Sequence, residues 1–362
     1  MNDQTRRPGS RQSHATAIIA ATLVAFVLGS SSPALAAVDP PGAEVYAHAS
    51  RLVEIGDGRR LNLVCAGQGS PTVIFEAGLP NWSSTWVLVQ PQVAAVTRAC
   101  SYDRAGLGFS SAAPPGPRTS SQAVDDLRAL LNAARIAPPL VLAGHSMGGM
   151  HVRLYADRYP ADVAGMVLVD PAVEGFYTAM NDLTSGQFKA DGLAGLADYR
   201  ACLDAAVANA LSPASPLFRD CTNPEIPQMG PALIASRHAI ESTASYQRAQ
   251  LAETEAFLTF DLIELRATRR RLGALPLIVL TAGNNRFEDE NGIGRDRIYA
   301  TWVAANRDIA ARSTRGIHRV IEGSGHSIQL QRPDAVVEAV IQVVREARPR
   351  PAGTKPLFMR RR

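Results

Sequence analysis

A serine with glycine two residues away on either side can ride a tight, strained turn that lifts its Oγ clear of the backbone. Ser146 has that setting, in Leu142-Ala-Gly-His-Ser-Met-Gly-Gly149. An apolar run precedes it and a helical pattern follows (Val152, Tyr155, Ala156, Tyr159), unlike a Gly-rich turn that merely carries a surface serine. A serine hydroxyl is almost wholly protonated at neutral pH, so its use as a nucleophile requires a base. Seven histidines are available. His14 lies in the N-terminal apolar region, His48 ahead of the first strand, His145 inside the turn and His151 on the next helix. His238 falls in a helical stretch and His318 in a strand-like run. His326 differs from all of these. In Glu322-Gly-Ser-Gly-His326-Ser-Ile-Gln, a strand feeds a Gly-rich loop with the histidine at its tip, ahead of the last helix. Ser146 and His326 are the expected nucleophile and base.

The elements around them alternate. Arg51–Ile55 and Leu61–Cys65 flank Gly56-Asp57-Gly58 and read as a hairpin. Strand signals recur at 71–75, 99–102, 139–143, 165–169 and 275–280, with a strand-like run at 317–321. Helices are expected near 86–96, 119–136, 148–159, 296–312 and 333–347. Unbroken apolar strands alternating with helices predict an α/β fold, a mostly parallel sheet covered on both faces. The alternation stops between 173 and 272, where the pattern is helical and Pro213, Pro216, Pro224, Pro227 and Pro231 interrupt it. That reads as a helical insertion at the carboxyl edge of the sheet, where ligands bind.

Four segments together carry a resemblance. They are Gly144-His-Ser-Met-Gly-Gly149, Tyr102-Asp-Arg-Ala-Gly-Leu-Gly-Phe-Ser110, Gly165-Met-Val-Leu-Val-Asp-Pro171 and Gly325-His326. The chain resembles the α/β-hydrolase fold serine hydrolases over about residues 50–172 and 273–345, with the insertion matching their variable helical cap. The resemblance implies an oxyanion hole from the backbone N–H of Met147 and that of Leu79, in Phe75-Glu-Ala-Gly-Leu-Pro80. This chain has Ala77-Gly78 where the family commonly has His-Gly, but the donor is a backbone amide. For the acid, Arg286 occupies the family's usual place after the seventh strand. Asp170, at the end of the sixth, is favoured, with Glu288 as the alternative. The implied activity is that of a carboxylesterase acting through an acyl-enzyme, without metal or cofactor, on a small ester with an apolar acyl or alcohol part. Lactonase, amidase or aminopeptidase, C–C hydrolase and perhydrolase activity, or a non-catalytic binding role, remain open. Serine at 146 argues against the aspartate-dependent dehalogenases and epoxide hydrolases. Phe176, Tyr177, Phe188, Phe257 and Phe260 suit either an apolar pocket or the core of the cap.

Composition agrees with a globular chain: 362 residues, 46% hydrophobic and 19% charged. Residues 1–36 read as a signal peptide. Arg6, Arg7 and Arg11 precede the apolar run Ala15–Leu28, and Ala34-Leu35-Ala36 forms an A-x-A site. Pro8-Gly9 after the arginine pair speaks against a twin-arginine signal, and the apolar run is too short to span a bilayer. The expectation is a secreted or periplasmic protein cleaved near Ala36. Its core would comprise 37–172 and 273–345, its cap 173–272, and its basic tail 346–362. The formal charge of +4 resides in the two ends, so no bulk charge favours nucleic acid. The four cysteines fit an oxidising compartment, with no zinc-like spacing among them. In the implied fold Cys65 and Cys100 would lie on neighbouring parallel strands and pair, and Cys202 would pair with Cys221 within the cap.

Overall fold

Apolar strands buried on both faces need helices above and below, and the chain supplies them in alternation. The computed structural model describes residues 39–348 except 224–225, 262, 264, 266–270 and 285–292. Eight strands form one sheet: β1 (Arg51–Gly56), β2 (Arg59–Ala66), β3 (Thr72–Glu76), β4 (Ala99–Tyr102), β5 (Leu140–His145), β6 (Val163–Val169), β7 (Leu277–Ala282) and β8 (Gly316–Ile321). Their order is β1-β2-β4-β3-β5-β6-β7-β8, parallel from β4 to β8.

β2 runs antiparallel to both β1 and β4, with Cys65 directly opposite Cys100. This corrects the expected parallel arrangement of the two cysteine strands. Parallel strands need a crossover of a dozen or more residues. Only residues 67–71 lie between β2 and β3, so the chain must reverse there.

Alternate residues of each central strand serve opposite layers. Leu140 and Leu142 of β5 pack with Leu127, Leu130 and Leu131 of one helix and Met150 and Leu154 of another. Val141 and Ala143 pack on the other face with Val336, Val340, Val343 and Val344. Those valines repeat at 3, 4, 7 and 8 positions, one stripe of a helix.

The helices are α1 (Gln90–Ala94), α2 (Ser120–Ala133), α3 (Met147–Arg158), α4 (Glu174–Leu183), α5 (Gln187–Ala194), α6 (Leu196–Val207), α7 (Phe218–Cys221), α8 (Pro231–Glu241), α9 (Ala244–Ala256), α10 (Arg295–Ala310), α11 (Ile328–Gln331) and α12 (Pro333–Ala347). A capping box of Thr119 and Gln122 starts α2. Helices α4 to α9 lie between β6 and β7, and the described residues from 173 to 272 contain no strand. The structure pairs Cys65 with Cys100 and Cys202 with Cys221, with Cα separations of 4.1 and 5.4 Å. No helix among the described residues is long and apolar enough to cross a membrane.

Candidate active site

Ser146 follows β5 and caps α3 at φ 52°, ψ −122°, outside the ordinary regions for a side-chain-bearing residue. Backbone bonds hold the strain. Its N–H donates to Val169 O (3.1 Å), and its carbonyl accepts from Gly149 and Ala172 (both 2.9 Å). The flanking glycines are steric necessities: a Cβ on Gly144 would sit 2.5 Å from Gly148 O, and one on Gly148 would sit 2.5 Å from Glu76 O. The loop after β3 reaches Ser146 directly, since a Cβ on Gly78 would lie 2.9 Å from both Ser146 Cβ and His145 Nδ1.

Asp170, fully buried just past β6, also has positive φ (40°). Its Oδ2 lies 2.7 Å from Nδ1 of His326. Its Oδ1 accepts from Ala282 N–H (3.0 Å) and the Trp302 indole (2.8 Å). Because the carboxylate can only accept, Nδ1 of His326 carries the proton and Nε2 is left basic. Ser146 Oγ and His326 Nε2 make no hydrogen bond to each other in this structure, and each is without a protein partner among the described residues.

His145 joins the two. It is buried, its ring 4.7 Å from that of His326, and its Nε2 lies 3.0 Å from the His326 carbonyl. Burial, then the neighbouring His326, pushes its pKa well below the ordinary value. It is therefore neutral, and with a carbonyl as partner its proton sits on Nε2. The backbone of His326 is thus tied to the turn that bears Ser146.

Leu79 lies in the loop beside Ser146 and Met147 opens α3, and neither N–H is used by another group among the described residues. Glu288 lies outside the described residues. His151 is bonded to Glu76 (3.2 Å), His318 to Thr281 (2.9 Å), and His238 packs on Phe218. Phe176, Tyr177 and Phe188 form an aromatic cluster that Trp302 and Phe257 join, whereas Phe260 is 52% exposed. Among the described residues no group of three or more His, Cys, Asp or Glu is arranged to hold a metal ion.

Trp302 and a buried polar layer under the site carry no signal in the sequence. Glu76 accepts from Tyr102, Arg104 and His151. Burial pushes its carboxyl up, but the His151 bond and the Arg104 charge outweigh that and hold it below the ordinary value. Arg104 sits within the Tyr102–Ser110 motif, yet its partners are far away in sequence and no local signal announces them.

Residues 63–339 match the alpha/beta hydrolase family. The protein YqjL of Bacillus subtilis is 37% identical over 107 residues, 30% of this chain and 42% of that protein. The match thus spans less than half of that relative's length. RutD of Pantoea ananatis, a protein named for carbamate hydrolysis, is 25% identical over 80% of this chain and 93% of its own. A thermophilic esterase from Thermogutta terrifontis superposes with a TM-score of 0.55 at 19% identity, covering 83% of this chain and 100% of its own, a likeness of fold.

Proposed function

The chain belongs to the alpha/beta hydrolase family, and on that premise we propose that it is an exported serine hydrolase cleaving carboxylic esters through an acyl-enzyme on Ser146. The observation that carries this reading is the 2.7 Å contact between Nδ1 of His326 and the buried Asp170, which leaves Nε2 free to accept a proton on a loop tied through His145 to the strained turn of Ser146. His326 takes the Ser146 proton as Oγ attacks the ester carbonyl. The Met147 and Leu79 N–H groups receive the negative charge on the carbonyl oxygen. Collapse expels the alcohol, protonated by His326. Water, deprotonated by the same ring, then attacks the acyl carbon and frees the acid.

Residues 1–36 are proposed as the export signal, and disulfides suit the oxidising compartment it leads to. The core comprises 37–172 and 273–345, and the cap 173–272. Ser146→Ala and His326→Ala should each remove ester hydrolysis, measured on p-nitrophenyl esters of increasing acyl length, while circular dichroism stays that of the wild type. Near wild-type kcat in either variant refutes the assignment.

A further inference from the structure

The proposed oxyanion donor Leu79 sits in a loop held upstream by Arg104, which a side chain of the helical insertion secures, and downstream by a side chain of the insertion itself. On the upstream side, Arg104 donates from Nη1 to Ala77 O (2.7 Å) and Glu76 Oε1 (2.9 Å), and from Nη2 to Gly78 O (3.1 Å). Its remaining donors go to Glu253 of α9, Nε to Oε1 (2.7 Å) and Nη2 to Oε2 (2.9 Å). All five guanidinium N–H groups are used, and both side chains are almost fully buried. On the downstream side, Arg237 of α8 donates to Asn81 Oδ1 (2.9 Å) and Ser84 Oγ (2.7 Å). Its guanidinium lies 4.2 Å from the Trp82 ring centroid, and Glu241 holds it in place (3.0 Å).

The grip matters because of peptide geometry. Gly78 C=O and Leu79 N–H belong to one planar peptide unit, which is trans, so they point in opposite directions. Pinning the Gly78 carbonyl with Arg104, and with Asn81 N–H at 2.8 Å, therefore aims the Leu79 N–H. A flip of that peptide would strand a buried carbonyl and a buried guanidinium donor together.

We propose that Glu253 and Arg237 are positioning residues for the oxyanion hole. The cap would then be a working part of the catalytic apparatus, with its docking setting the direction of the Leu79 N–H. The proposal rests on the reading of Ser146 as nucleophile and Leu79 as oxyanion donor.

The test compares full-length Glu253→Gln, Arg237→Met and Arg237→Lys proteins with the wild type. A fourth variant, Arg312→Gln, cuts a different ion pair to the cap, with Glu174. Readouts are kcat and KM on p-nitrophenyl butyrate, and Ki for butylboronic acid, which forms a tetrahedral adduct on serine. Losing a single oxyanion donor costs roughly 10²–10³ in kcat. Glu253→Gln and Arg237→Met, which misdirect the donor without removing it, should lower kcat at least ~10-fold and at most by that full loss, with little change in KM. The boronate Ki should rise in step with the fall in kcat/KM. Arg237→Lys should recover part of the loss, and Arg312→Gln should lower Tm while leaving kcat unchanged. If Glu253→Gln does not fold, the Arg237 pair decides. Unchanged kcat in the folded clamp variants, unchanged boronate affinity, or an equal kcat loss in Arg312→Gln overturns the proposal. Fluorophosphonate labelling of wild-type Ser146 keeps the two readings separate: without it both fall, and with it the clamp alone is judged.

Discussion

A carboxylate buried as deeply as Asp170 needs donors in place of its lost hydration. The Ala282 N–H, the Trp302 indole and the His326 ring are among them. In Asp170→Asn the amide would face Nδ1 with an N–H of its own, favouring the wrong tautomer of His326. kcat on p-nitrophenyl esters should fall by about 10⁴-fold, with the fold retained. A loss under tenfold would move the acid role to the run around Glu288. At this scale the sequence is readable where the turn geometry is local. Glycine spacing marked Ser146, and a Gly-flanked loop marked His326. Trp302 was not readable, because its partner is 132 residues away and a tryptophan on an amphipathic helix looks like any core residue.

Elements obey their own logic. The parallel strands and their helices were legible from periodicity, because burial on both faces forces unbroken apolar runs such as residues 277–280. The direction of β2 was not legible from apolar pattern and followed instead from the shortness of its link to β3. Within the insertion, the bridge Cys202–Cys221 ties α6 to α7 across a sequence separation of 19. Closing such a loop contributes about 3 kcal/mol in the chain-entropy model. Replacing both cysteines by serine should speed amide hydrogen exchange in α6 and α7 and leave β5 and β6 protected. Equal acceleration throughout would mean that these helices do not open as a separate unit.

At the scale of the whole molecule, buried ion clusters join insertion to core, and one of them predicts how stability responds to acid. Glu174, fully buried at the start of α4, meets Arg153 of α3 and Arg312 just past α10, each at 2.9 Å. Burial raises its pKa, but the Arg153 charge and the arginine hydrogen bonds outweigh that and push it down to about 2, from an ordinary 4.5. A depressed carboxylate stabilises the fold above its unfolded pKa and loses that contribution as pH falls through the folded one. Tm should therefore drop between about pH 4.5 and 2, and Glu174→Gln should be less stable at pH 7 with a flatter acid limb. A variant whose acid limb parallels the wild type would remove Glu174 from that role. Every step proposed for the site starts from Ser146 as the nucleophile. The most direct measurement is mass spectrometry of the protein after reaction with a fluorophosphonate. One adduct per chain, mapped to the peptide containing Ser146 and absent from Ser146→Ala, is the predicted result. Ester hydrolysis persisting with no adduct, or with the adduct on another residue, would contradict it.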